Sequence, residues 1–268
     1  MHPILFEIRG FPVYTYGVLL AAAYLLGLQF ALVRAKSRGL DPNRVMDLGI
    51  WIIVSALVGA KLLLLVVEWD TYSRNPSEIF SLVRSGGVFY GGLILAVAVA
   101  FWYMWRHRMP LWHVSDSFAP GIALGHVIGR FGCFFAGCCF GKPASVPWAV
   151  TFHSEYAARN VGTPLNIPLH PTQLYEAGAE LLILGVLIAT ERRGRPFAGR
   201  TFWGYMLLYG ISRFIIEFYR GDVRGTIGSL STSQFVSLLI VPLSIIMLVI
   251  LGRREAPAPT AATARRAA

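Results

Sequence analysis

Charged side chains are scarce in this sequence. Only 14% of its 268 residues are Asp, Glu, Lys or Arg, 55% are hydrophobic, and the mean hydropathy is +0.57. A soluble domain carries about 25% charged residues, so the composition excludes an ordinary water-soluble globule and places the chain in the membrane class. Cysteine is scarcer still. Cys133, Cys138 and Cys139 fall within one short segment, too few and too local for a secreted disulfide framework. They make no CxxC pair, and adjacent cysteines seldom chelate one tetrahedral ion. No metal is therefore expected, and the thiols read as small buried hydrophobes. The opening MHPILFEIRGFPVY lacks a basic stretch followed by an apolar run and a small-residue cleavage site, so no cleavable signal peptide is expected. Acidic residues number 14 against 24 basic, a formal net charge of +10. The basic residues sit in short clusters between apolar windows, with no stripe of interleaved aromatics, and no nucleic-acid partner is expected.

What is abundant is apolar sequence in lengths of roughly 20 residues, enough to cross about 30 Å of hydrocarbon. Such windows recur at Tyr14 to Val33, Met46 to Val67, Val88 to Trp105, Trp112 to Phe131, Leu174 to Thr190, Phe202 to Tyr219 and Gln234 to Leu251. They predict an all-α integral membrane protein, a bundle of about seven transmembrane helices forming one domain over residues 1–252. The longest connection, residues 141–172, carries five prolines with Trp148, Phe152 and Tyr156, and is expected to pack as a small outward-facing cap. Residues 253–268, rich in Ala, Pro, Thr and Arg, read as a disordered cytoplasmic tail.

Orientation follows from the arginines and lysines of alternate connections. One set holds Arg34, Lys36, Arg38 and Arg44, then Arg106 and Arg108, then Arg192, Arg193, Arg195 and Arg200, then Arg253, Arg254, Arg265 and Arg266. The other holds Arg9, Arg74, Arg84, Lys142, Arg159, Arg220 and Arg224. The twofold excess marks the first set as cytoplasmic, with the amino terminus outside.

An ionisable side chain at bilayer depth is costly, which makes such residues candidates for function. In the sixth span Tyr205, Tyr209, Arg213, Glu217 and Arg220 recur at helical spacing, the last four within LLYGISRFIIEFYRGD, so they share one face. Arg213 and Glu217 alone could simply glue helices. Two arginines to one glutamate leave a positive charge over, however, which a phosphate headgroup would balance. In GIALGHVIGRFGCFFAGCCFGKP, at the end of span four, Arg130 lies among glycines that suit a packed site better than a snorkelling position. His126, one turn earlier, reads as a structural hydrogen-bonding histidine. Tyr90 sits among glycines in SGGVFYGGLIL, where it could also be an interfacial anchor. Tyr16 in VYTYG, Lys61 in GAK, and His170, Gln173, Tyr175 and Glu176 in HPTQLYE complete the polar set.

Together YTYG, SGGVFYGGL, IGRFGCFFAGCCFGKP, HPTQLYE and LLYGISRFIIEFYRGD resemble, in order and spacing, the prolipoprotein diacylglyceryl transferases over nearly the whole chain. The resemblance implies a bacterial inner-membrane enzyme of lipoprotein biosynthesis. Such an enzyme transfers the diacylglyceryl group of phosphatidylglycerol to the lipobox cysteine of a preprolipoprotein and releases glycerol phosphate. The implied partners are phosphatidylglycerol, lipobox peptides and membrane lipids, with no metal or organic cofactor. Arg130 and Arg213 would hold and polarise the lipid phosphate, with Tyr16, Lys61, Tyr209, Glu217, Arg220, Gln173, Tyr175 and Glu176 binding substrate. Two positions depart from the family pattern. Tyr90 stands where well-known members carry a histidine considered a candidate base, and Cys133 where an asparagine is common. Tyr90 joins the catalytic set in a positioning role, because a phenol of pKa about 10 is a poor base at neutral pH. The rival readings are a transporter of an anionic solute, a thiol oxidoreductase using Cys138 and Cys139, and a paralogue with a different acceptor.

Overall fold

The structure, a computed structural model, describes residues 2–74, 87–192 and 197–254. Arg84, Gly86, Arg193, Arg195 and the tail beyond Arg254 lie outside the described residues. The protein is an all-α membrane protein. Among the described residues six helices are long and apolar enough to cross a bilayer: α1 (Thr15–Ser37), α2 (Pro42–Val67), α4 (Phe89–Arg106), α5 (Leu111–Ala136), α7 (Thr172–Arg192) and α9 (Thr232–Arg254). Among the described residues two short helices, α3 (Trp69–Arg74) and α6 (Glu155–Val161), lie between them in sequence.

The seventh expected span is α8 (Arg200–Ile216), shorter than the six. Its predicted end, through Tyr219, is instead a 3-10 turn over Glu217–Tyr219. Most of the other helices outrun their apolar windows, because hydrophobicity marks only the hydrocarbon crossing while the backbone ladder runs on until a cap stops it. At the start of α2, for example, the Asp41 carboxylate accepts from the Asn43 N–H at 2.9 Å, with Pro42 at the first helical position.

The chain forms two compact units, Met1–Ala31 with Ser115–Ala268, and Leu32–Val114. In the second, α2 packs on α4 through Gly59 and Gly91. A Cβ on either glycine would collide with the other's carbonyl, so only hydrogen at both positions allows the two backbones to approach this closely.

The first unit is centred on Ala119 and Ala123 of α5, Ile183, Leu184 and Leu187 of α7, and Tyr205 of α8, with Phe30 of α1 against them. Outside this core large apolar side chains are exposed, Leu25 by 70% and Leu182 by 73%. In water each would forgo roughly 1.5–3 kcal/mol of burial. In lipid that surface is already in its preferred solvent. The start of α8 has no cap of its own. Asp116, buried on α5, supplies one, accepting from the Gly199 and Phe202 N–H groups at 2.8 Å each.

The expected cap over 141–172 is a folded unit. Strand β3 (Val150–Thr151) pairs antiparallel with β4 (Pro168–Leu169), Phe152 and Leu169 are fully buried beside Phe140, and Ser154 and Gly162 cap α6. Two hairpins were not anticipated. At the amino terminus β1 (Ile4–Ile8) pairs with β2 (Phe11–Tyr14) across a turn in which Arg9 and Gly10 both have positive φ, as a tight hairpin twist requires. Tyr14 at its end stacks on Tyr156 of the cap, ring centroids 5.7 Å apart. Near the carboxyl end β5 (Thr226–Ile227) pairs with β6 (Leu230–Ser231).

Candidate active site

Glu176 on α7 is the centre of the polar cluster. Its Oε2 lies 2.6 Å from Arg130 Nη2, and its Oε1 lies 3.1 Å from Arg213 Nη1 and 2.8 Å from Arg220 Nη1. Three guanidiniums from separate segments of the chain thus converge on one buried carboxylate. Arg213 also meets Glu217 at 2.7 Å and donates to Ser233 Oγ at 3.0 Å. Arg220 grips Asp222 with two hydrogen bonds of 2.9 and 2.8 Å, and Arg224 reaches both Glu217 and Asp222. Burial raises the Asp222 carboxyl above its ordinary range, an effect the Arg220 fork offsets only in part.

Four arginines, at 130, 213, 220 and 224, face three carboxylates, at 176, 217 and 222. The cluster therefore carries one positive charge in excess. The guanidiniums are not equally open: side-chain exposure is 2% for Arg220, 7% for Arg213 and 16% for Arg130. Of the three that hold Glu176, an incoming anion finds Arg130 the most accessible, with Arg224 at 25% lying further out in the cluster.

The backbone at this end of the bundle is stitched from three segments. Gly141 N–H donates to His170 O, Lys142 N–H to Tyr219 O and Gly221 N–H to Phe140 O. That lattice fixes Arg220, which lies beyond the helix in extended conformation. Thr172 Oγ1 and Gln173 Nε2 donate to the carbonyls of Cys139 and Cys138 at 2.7 Å each. They hold the turn where Cys139 has φ of 62°, a conformation that costs a non-glycine residue of order 1 kcal/mol or more.

Of the residues expected from the sequence, Arg130, Arg213, Arg220, Glu176 and Glu217 are joined by direct ion pairs. Tyr209 on α8 is within electrostatic reach of Arg130 and Arg213. Its ring stacks on that of Tyr205 with 5.8 Å between centroids. Tyr16 packs on Gly132 of α5. Tyr175 is tied into the cap, its hydroxyl receiving the Trp148 indole N–H at 2.7 Å and lying 3.0 Å from His170 Nδ1. Gln173 is fully buried and acts on the Cys138 carbonyl. Tyr90 and Lys61 belong to the Leu32–Val114 unit, on α4 and α2. The three thiols, read as small hydrophobes, come within 4.8 Å of one another and are half-buried.

Sequence reasoning missed Glu180, which meets His126 at 2.7 Å, and also Asp222, Arg224 and Asp116. Glu180 had a legible signal, since it follows Glu176 by one turn in an otherwise apolar helix.

Comparison with known proteins bears on the same residues. The family model described as prolipoprotein diacylglyceryl transferase matches residues 3–250. A phosphatidylglycerol–prolipoprotein diacylglyceryl transferase of Clostridium tetani is 36% identical over 245 residues, 91% of this chain and 96% of the relative. Proteins of the same name from Finegoldia magna and Synechococcus elongatus are 34% and 32% identical, each over 92% of this chain and over 94% and 86% of their own lengths. The matched residues take in every member of the arginine–carboxylate cluster. A buried arginine–carboxylate cluster among apolar helices thus coincides with a match along almost the full length of the sequence, and the chain belongs to the prolipoprotein diacylglyceryl transferase family.

Proposed function

We infer that the protein transfers the diacylglyceryl group of phosphatidylglycerol to the lipobox cysteine of a preprolipoprotein and releases glycerol phosphate; its relatives' names supply the donor, the acceptor class and the group transferred. The observation that carries this reading to the site is the convergence of Arg130, Arg213 and Arg220 on Glu176. A phosphodiester brings one negative charge and unesterified oxygens that fit a guanidinium fork, and the cluster has one positive charge to match. Arg130, the most open of the three, takes the first phosphate oxygen, and Arg213 the second.

The acceptor sulfur attacks the glyceryl carbon. A carbon–sulfur bond forms as the carbon–oxygen bond to phosphate breaks, its electrons remaining on the phosphate oxygen. Negative charge grows on that oxygen along the path, and fixed guanidiniums stabilise it more than they stabilise the ground state. Glu176 keeps the arginines pointed inward before substrate arrives. The charge asymmetry of the connections supports an amino terminus outside and a carboxyl terminus in the cytoplasm of a bacterial inner membrane.

Purified protein given phosphatidylglycerol and a lipobox peptide is expected to add a diacylglyceryl mass to the cysteine and release glycerol phosphate in equal amount. Arg130→Gln removes the charge of the guanidinium with the fewest structural ties. It is expected to lower kcat/KM by about 10²- to 10³-fold, the range for loss of one transition-state donor. Wild-type activity in that variant would remove Arg130 from the phosphate site.

A further inference from the structure

The reaction just described leaves one requirement without a residue. A free thiol is only a few per cent ionised at neutral pH, and the acceptor's proton must go somewhere. His126 lies one turn before Arg130 on α5, and Glu180 one turn after Glu176 on α7. The two helices therefore face each other in two successive rungs, Arg130 with Glu176 at 2.6 Å and His126 with Glu180 at 2.7 Å. Glu180 is 4% exposed, and its Oε2 is buried with no hydrogen-bond partner among the described residues. The Tyr205 hydroxyl sits 3.3 Å from His126 Nδ1 and 3.4 Å from Glu180 Oε1, and the Tyr209 ring lies 5.4 Å from the imidazole.

A carboxylate oxygen only accepts, so Nδ1 carries the hydrogen and donates it to Glu180. That tautomer leaves Nε2 with its lone pair. The imidazole is 33% exposed while its carboxylate partner is sealed. A histidine kept only for packing has no need of a buried carboxylate with an idle oxygen. A base held in one tautomer does, because the imidazolium it becomes is neutralised on the spot.

We propose that His126 is the general base of the transfer, taking the acceptor thiol's proton on Nε2, with Glu180 as its positioning residue. The proposal rests on the transferase reading above. The S–H bond breaks with its proton passing to Nε2, and the sulfur electron pair forms the bond to the glyceryl carbon as phosphate leaves. The proton then returns from the imidazolium to the departing glycerol phosphate. The charged and titratable groups around the imidazole are Glu180 from α7, Tyr205 and Tyr209 from α8, and Arg130 on its own helix, itself balanced by Glu176.

The test uses the full chain with phosphatidylglycerol vesicles and a lipobox peptide. An inactive wild type would defeat the transferase reading itself. With wild type active, His126→Gln is expected to lose about 10²- to 10⁴-fold in kcat at pH 7, with KM for phosphatidylglycerol within about twofold. The deficit should shrink as pH rises toward the thiol's own pKa of about 8.5, where the peptide ionises unaided. His126→Ala should recover activity in proportion to added imidazole. A His126→Gln enzyme with the wild-type rate, or one equally impaired at every pH and deaf to imidazole, overturns the proposal. If the histidine variants do not fold, Glu180→Gln decides. It keeps an acceptor for Nδ1 but removes the charge, and should lower kcat about 10- to 100-fold; an unchanged kcat there also overturns the proposal.

Discussion

Glu176→Gln isolates the charge of the central carboxylate while keeping its shape and one acceptor oxygen. At N···O distances of 2.6, 3.1 and 2.8 Å to three arginines, and an effective dielectric of about 20, each contact has a gross Coulomb term of roughly 5–6 kcal/mol. Mutual repulsion of the guanidiniums and the carboxylate's lost hydration offset most of that sum. Removing one member of a buried ionic set leaves a net cost of about 3–5 kcal/mol. For a chain of this size that is a fall in Tm of about 6–20 °C. Thermal unfolding in detergent measures it, and Glu155→Gln provides the contrast. Glu155 meets Arg159 at 2.7 Å, but both side chains are about three-quarters exposed, so its loss should cost no more than about 0.5 kcal/mol. Phosphatidylglycerol should restore more stability to Glu176→Gln than to wild type, because a ligand that binds only the native state stabilises it in proportion to its affinity, and the variant has an added need for an anion. Equal Tm shifts in the two variants would refute the reasoning, since distance alone would then have set the energy.

Two further outcomes follow from the surroundings of the site. Asp116→Asn, which weakens the only side-chain cap described at the start of α8, should cost about 1–3 kcal/mol and appear as a lower Tm with KM for phosphatidylglycerol little changed. Cys138→Ser with Cys139→Ser should retain transferase activity in the peptide assay, because Gln173 and Thr172 hold the backbone carbonyls of that turn rather than its thiols; complete loss of activity would instead make the thiols part of the chemistry.

Much of the site was legible because membrane sequences advertise their polar residues. Arg130 and Arg213 stand out against apolar neighbours, and the four-residue spacing from Tyr205 to Glu217 survives in the structure. Arg220 was grouped with that stripe as a helical neighbour. It reaches Glu176 from an extended residue past a 3-10 turn, placed by hydrogen bonds from Lys142 and Gly221. Arg220 does meet the same carboxylate as Arg213, but the helix was continued too far. The pairing of His126 with Glu180 was hidden by 54 residues of separation, and periodicity along one helix says nothing about which face of a second helix it meets. Asp116 was hidden more thoroughly, because its partners are backbone N–H groups that carry no residue signature. The amino-terminal hairpin was missed because Arg9 and Gly10 are a less familiar pair for a tight turn than Asn-Gly.

The cap that Asp116 places on α8 also has a history in time. Its two donors, Gly199 and Phe202, follow it by 83 and 86 residues. At about 5–20 residues per second of synthesis, α5 waits roughly 4–17 s before those donors exist. During that interval the carboxylate lacks the two bonds it will later make, in a helix otherwise suited to hydrocarbon, and the aqueous boundary is the least costly place for it. Emergence of α8 supplies both donors, so the order in which the chain is made sets when this cap can close.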